Sequence, residues 1–204
     1  MPSIYEWKPR FQAALRPLTT RLAAAKVTAN QVTVLAALLS LATGVIIGCL
    51  AHYHLVLLLM PVVLFVRMAL NAIDGMLARE HGMKSRLGAI LNELGDVVSD
   101  SALYLPLALV PSFSPWMVTL IVTLAVMSEM AGVVSIQIGS SRRYDGPMGK
   151  SDRAFVFGAL CFLLGLGVTA GAWINYVLAG VFILLVVTIV NRCRRALLEP
   201  GHTS

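Results

Sequence analysis

Apolar residues run along this chain in long blocks broken by short polar turns. The first stretch, 4–23, is different. Trp7, Phe11, Leu15, Leu18 and Leu22 recur every three or four residues, with Lys8, Arg10, Arg16 and Arg21 between them. That spacing predicts a basic amphipathic helix, interrupted by Pro9 and Pro17, lying in the headgroup layer of a bilayer. It has no apolar run leading to a small-residue cleavage site, so it does not read as a signal peptide. Thr28 or Asn30 can cap the next helix, which runs to about residue 52. Apolar segments follow at about 54–80, 85–110, 115–139, 151–172 and 174–195. Each approaches or exceeds the ~20 residues that cross a bilayer. The breaks carry turn residues: Pro111, Pro115, Gly146-Pro147, and Gly171 with Asn175. The expected architecture is all-α: an interfacial helix over 1–26, then one domain of six transmembrane helices over 27–199.

Composition agrees. Of 204 residues, 58% are hydrophobic and 13% charged, with a mean hydropathy of +0.81. Soluble domains run near ~45–50% apolar and ~25% charged. The net charge of +6 does not indicate nucleic acid, because the cations are dispersed between apolar runs. They form four groups: Lys8 to Lys26; Arg79, Lys84 and Arg86; Arg142, Arg143, Lys150 and Arg153; and Arg192, Arg194 and Arg195. These fall on alternate turns and include every lysine and arginine except Arg67. The positive-inside rule then puts both termini in the cytosol. Cys49, Cys161 and Cys193 are too few for a disulfide framework and read as packing residues.

Acids and amides inside apolar helices are costly unless they serve a purpose. Asn71 and Asp74 are three residues apart and share one helix face. Asn92, Asp96 and Asp100 form a stripe on the next helix. With cytosolic termini the two polar faces meet near the cytosolic surface. Oxygen ligands in that arrangement suit a hard divalent cation, Mg²⁺ or Mn²⁺. Gly75 and Ala78 keep the helix surface low, and Arg79 is placed to hold a phosphate.

At these positions the chain resembles the CDP-alcohol phosphotransferases, whose signature is D-x2-D-G-x2-A-R-x8-G-x3-D-x3-D. Asp74, Gly75, Ala78, Arg79, Gly88, Asn92 and Asp96 match its spacing. Val27-Thr28-Ala29-Asn30-Gln31-Val32-Thr33 is similar to the family's T-P-N-x-x-T start, with Ala29 in place of proline. The resemblance covers most of the chain and is strongest to an enterobacterial inner-membrane branch. It implies transfer of a phosphatidyl group from CDP-diacylglycerol to an alcohol, release of CMP, and a homodimer in the membrane.

The resemblance also implies roles. In the family two metals are held by four carboxylates, whose positions are Asn71, Asp74, Asn92 and Asp96 here. Gly75 and Ala78 would pack on the cytidine, Gly88 would belong to the nucleotide site, and Arg79 would bind the pyrophosphate. Asp96 would take the acceptor's proton. Asn71 and Asn92 depart from the pattern, so metal should bind more weakly, one metal can be lost, or one can arrive with the donor. Arg67 can replace some metal charge. Asp100 opens a second register, one turn along from Asp96. Arg142, Arg143, Lys150 and Arg153 resemble the paired cations of relatives whose acceptor carries a phosphate, such as glycerol 3-phosphate; the same four also fit a topology signal. Glu129 reads as a site wall or a structural partner. A catalytically degenerate binder of lipid or nucleotide is the alternative. An ion carrier is disfavoured because the polar residues lie on one side.

Overall fold

The computed structural model describes residues 4–199, all-helical with no strand among them. The helices are α1 (Ile4–Ala24), α2 (Ala29–Cys49), α3 (Leu59–Glu80), α4 (Arg86–Tyr104), α5 (Pro115–Val134), α6 (Lys150–Gly165) and α7 (Ala172–Leu198). Short 3₁₀ turns adjoin α3, α4 and α5, at His54–Leu58, Leu105–Leu109 and Ser135–Ile138.

Local chemistry sets the helix starts. Thr28 caps α2 reciprocally: its Oγ1 accepts from Gln31 N at 3.3 Å, and Gln31 Oε1 accepts from Thr28 N at 2.8 Å. Asn30 lies inside the helix instead. Ser85 caps α4, its Oγ accepting from Gly88 N at 2.9 Å. Asp152 accepts from Gly149 N at 2.9 Å at the start of α6. The expected break of the first helix at Pro17 does not occur, since α1 is continuous from Ile4 to Ala24. Pro17 and Ala13, whose carbonyl loses its partner, both lie on the exposed face, where polar surroundings can satisfy that oxygen.

Four segments are long and apolar enough to cross a membrane: Ala29–Cys49, His54–Glu80, Pro115–Ile138 and Ala172–Leu198. The sequence pattern predicts six. The other two helices, α4 and α6, fall short for separate reasons. Helix α4 carries Arg86, Glu93, Asp96 and Asp100, the polar stripe that gives it chemical interest. Helix α6 has 16 residues, about 24 Å of rise, because the chain turns at Gly167, where φ is +89°. Large apolar side chains face outward along the apolar helices, among them Leu35, Val45, Val62, Phe65 and Ile183. Such faces are stable against lipid rather than water.

The fold comprises two compact units. The first is built from residues up to 42 and 62–99. Ala29, Val32, Ile73 and Leu77 form its core, flanked by Leu15, Leu22, Val27 and Leu70. Arg16 pairs with Glu80 at 3.0 Å, and Phe11 meets Phe65 edge-on with centroids 6.1 Å apart, so α1 is tied to α3 at two levels. The second unit comprises residues 43–61 and the described residues from 100 to 199. Tyr104 stacks on Phe157 at 4.5 Å, and Gly44 lies so close to Ala102 that a Cβ would fall 2.0 Å from its carbonyl oxygen.

Candidate active site

In the first unit, α2, α3 and the start of α4 surround a cavity of about 710 Å³. Asp74, Gly75, Ala78 and Arg79 line it from α3, Gly88 and Asn92 from α4, and Asn30 and Thr33 from α2. Lys84, on the turn between α3 and α4, and Arg86, the first residue of α4, also line it. Six of the residues singled out by spacing, Arg79 among them, therefore share one cavity with two further cationic side chains, an arrangement suited to a polyanion such as a pyrophosphate.

Each small residue here has a local reason. A Cβ on Gly88 would lie 2.7 Å from Asn30 Oδ1 and 3.0 Å from Ser85 Oγ, so glycine lets α4 begin beside these two side chains as they stand. Asn30 Nδ2 reaches Ser85 Oγ at 3.5 Å, joining the Asn30 side chain to the α4 cap. A Cβ on Gly75 would lie 3.2 Å from the Arg79 guanidinium, which folds back along α3. Asp74 is 6% exposed, and its Oδ2 accepts from Thr33 Oγ1 at 2.7 Å. The same hydroxyl lies 3.1 Å from Ala29 O, the longer of two contacts that share its single proton. Thr33, Asn30 and Ser85 had no assigned role in the spacing argument; the threonine at the end of the T-x4-T start was the available signal.

Asp96 has a different setting. Asn71 Nδ2 donates to its Oδ1 at 3.3 Å, and Arg67 Nη2 lies 3.7 Å from the same oxygen. Arg67 also donates to the Asp96 carbonyl at 3.2 Å and is 3% exposed. The four positions Asn71, Asp74, Asn92 and Asp96 supply oxygen donors only, the chemistry a hard divalent cation takes. Among the described residues, no group of three or more histidine, cysteine or acidic side chains is placed to hold a metal ion.

The second unit contains the other candidates. Arg153 is 1% exposed; its Nη2 meets Asp100 Oδ2 at 2.9 Å and Glu129 Oε1 at 3.1 Å. Arg153 Nε is buried with no hydrogen-bond partner among the described residues. Glu129 also meets Arg142 at 3.5 Å and Arg192 at 3.4 Å, so three guanidiniums converge on this mid-helix acid. Arg142 lies over the Tyr144 ring at 4.2 Å. Arg192, 2% exposed, donates further to Ser128 O and to Asp145 O. Arg143 is elsewhere engaged, with Asp145 at 2.8 Å and Glu199 at 2.6 Å. Lys150 opens α6. Of the four expected acceptor cations, Arg142 and Arg153 thus belong to a buried network, Arg143 to a surface clasp, and Lys150 to the start of α6. In the clasp, Ser140 and Ser141 donate to Glu199 Oε2 at 2.7 and 2.9 Å. These hydrogen bonds, then the Arg143 charge, hold the Glu199 carboxyl down at about 2. Arg192, Asp145 and Glu199 carried no motif signal beyond a charged residue near the last apolar helix.

This fold and cavity define a class: the chain belongs to the CDP-alcohol phosphatidyltransferase family, whose model matches residues 26–190, and which comprises membrane transferases of phospholipid synthesis. The chain is 45% identical over 200 residues to the inner membrane protein YnbA of Escherichia coli, covering 98% of this chain and 99% of that one. It is 29% identical over 147 residues to the archaetidylinositol phosphate synthase of Pyrococcus horikoshii, covering 67% of this chain and 73% of that one. Its fold matches the phosphatidylinositol phosphate synthase PgsA1 of Mycobacterium tuberculosis solved with CDP-DAG bound. That match has TM-score 0.77 and 19% identity over 92% of this chain and 96% of the other. PgsA1 with manganese and citrate matches at TM-score 0.74 and 19% identity, covering 92% and 91%.

Proposed function

We propose that this chain transfers the phosphatidyl group of CDP-diacylglycerol to an alcohol that already carries a phosphate, releasing CMP. The observation that carries the reading is the cavity in which Asp74, Gly75, Ala78, Arg79, Gly88 and Asn92 meet at the family's spacing. On this reading the cytidine rests on the low surface of Gly75 and Ala78. Arg79 holds the pyrophosphate, with Lys84 and Arg86 adding charge at the mouth. Asn71, Asp74, Asn92 and Asp96 would hold the divalent cation, Mg²⁺ or Mn²⁺, which polarises the phosphoryl group when bound. Asp96 takes the proton of the acceptor hydroxyl as its oxygen forms the new bond to the β-phosphorus. The bond from that phosphorus to the bridging oxygen breaks, and the electron pair leaves with CMP. Arg142, Arg143, Lys150 and Arg153 make up the acceptor's phosphate site: Arg142 and Lys150 meet the phosphate, and Arg153 and Arg143, each bound to two carboxylates, order the loop and helix start that present them.

The same reading places α4 and α6 in the bilayer as fifth and sixth spans beside the four apolar segments, with α1 in the interface and both termini cytosolic. The cation distribution supports that orientation in a bacterial inner membrane. The protein acts as a homodimer. Purified protein given CDP-diacylglycerol, Mg²⁺ and single acceptors should release CMP with a phosphorylated alcohol and not with its unphosphorylated counterpart. Preference for the neutral alcohol would remove the acceptor assignment. A degenerate, non-catalytic binder is favoured by one observation, the amides at positions 71 and 92, and would bind the donor without releasing CMP.

A further inference from the structure

We propose that the site holds one divalent cation, between Asp74 and Asn92, and that the buried Arg67 guanidinium takes the place of a second. This rests on the transferase reading above. The first argument is charge. The four ligand positions carry two carboxylates, Asp74 and Asp96, and Asp96 already faces the Arg67 guanidinium at 3.7 Å, so they hold too little negative charge for two divalent cations. A second cation on Asp96 would lie beside the Arg67 guanidinium, a like charge 3.7 Å from the carboxylate oxygen that would have to bind it.

The second argument is geometry. A cation shared by Asn71 and Asp96 would need an oxygen from each. Instead the Asn71 amide turns its N–H toward Asp96 Oδ1, at 3.3 Å, and closes the gap. Beside a carboxylate the NH₂ end of an amide is the attractive one. Arg67 then covers that oxygen from 3.7 Å and is anchored on the Asp96 carbonyl at 3.2 Å. Its position one turn before Asn71 on α3, with 3% exposure, puts a permanent positive charge against Asp96. Asp74 and Asn92, in contrast, both open onto the cavity with Arg79, where the donor's pyrophosphate supplies further oxygens. Thr33 holds Asp74 in place for that contact.

Mn²⁺ titration of the purified full chain, followed by electron paramagnetic resonance, counts the ions without reference to turnover. Wild type should bind one Mn²⁺ per chain with an uncoupled spectrum, and Asp74→Asn should lose it. Asn92→Asp should still bind one, on the order of tenfold tighter, because it adds ligand charge to the same ion. Asn71→Asp should add none while Arg67 is present. The combination Arg67→Met, Asn71→Asp, Asn92→Asp should bind two with a spin-coupled spectrum. If that triple variant does not fold, the wild-type count and the Asn71→Asp count decide. Two coupled ions in wild type, no ion in wild type, or an ion that survives Asp74→Asn would each overturn the proposal. One Mn²⁺ without CMP release from any acceptor would instead defeat the transferase reading and leave the ion count standing.

Discussion

Asp74 and Asp100 are buried to nearly the same degree, 6% and 5% exposed, yet they belong to opposite kinds of site. Asp74 is held by a neutral hydroxyl and lines a cavity large enough for a nucleotide. Asp100 is clamped by Arg153, whose other carboxylate, Glu129, is shared with two more arginines. The first region presents polar atoms to a space; the second closes them on each other. Burial of an acid in an apolar helix therefore does not by itself mark chemistry. What the acid faces, a cavity or a fixed counter-charge, separates an acid suited to a ligand from one that holds helices together.

The largest expected effect lies in the closed region. Glu129→Gln strands the guanidiniums of Arg142, Arg153 and Arg192 around a neutral amide. Breaking a buried ion pair in this way costs about 3–5 kcal/mol. Unfolding in mild detergent should show that loss, while the donor KM of the protein that remains folded stays near wild type. A stable Glu129→Gln with altered donor affinity would erase the distinction between the regions.

Asp96→Asn should have the converse signature. It removes the proposed proton acceptor but keeps shape and one oxygen, so turnover should fall by at least ~10²-fold, the usual worth of a general base. Thermal stability and donor binding should persist. Asp100→Asn supplies the control: lower stability, with turnover per folded molecule close to wild type. If Asp100→Asn abolishes turnover and Asp96→Asn barely matters, the reacting register lies one turn along α4.

Smaller effects test the cavity wall. Gly88→Ala brings a Cβ to within 2.7 Å of Asn30 Oδ1 and 3.0 Å of Ser85 Oγ, so the Asn30 side chain or the α4 cap must shift. Gly75→Ala meets only the flexible end of Arg79 at 3.2 Å and should fold normally. Both should raise the donor KM, Gly88→Ala more, with little change in acceptor KM. Equal effects on both substrates would place the nucleotide elsewhere.

The smallest effect concerns the clasp. The Glu199 carboxyl sits near 2, below the usual carboxylate range, so its contribution to stability is complete above about 4.5 and is lost as pH falls toward 2. Amide exchange at residues 140–145 should stay slow down to about pH 4.5 and quicken below it. Glu199→Gln should show the quicker exchange at every pH. Loosening near neutral pH in wild type would mean that the clasp is held by another group.

How much of this was readable from sequence differed between the same two regions. The cavity wall was legible because Asp74, Gly75, Ala78 and Arg79 are placed by one helix, and the turn to Gly88 is short. Helical periodicity fixes such neighbours. The Thr28 cap was legible for the same local reason. The closed network joins positions far apart in sequence: Arg153 with Asp100, Arg143 with Glu199, Arg192 with Ser128 and Asp145. No periodicity reports such pairs, so Arg143 and Arg153 read equally as topology signals or as acceptor ligands. Helix α1 passes straight through Pro17 because its lost hydrogen bond falls on the exposed face, which composition alone does not reveal. Glycine at 167 ends α6 early, although the apolar run continues to Val168.

The most direct test follows the β-phosphate of labelled CDP-diacylglycerol in purified protein with Mg²⁺ and a phosphorylated alcohol. The account predicts that the label moves into a new lipid carrying the acceptor, that unlabelled CMP is released in equal amount, and that Asp96→Asn abolishes both while still binding the donor. Label that stays in CDP-diacylglycerol with every acceptor, or that appears in phosphatidate whether or not an acceptor is present, would contradict it.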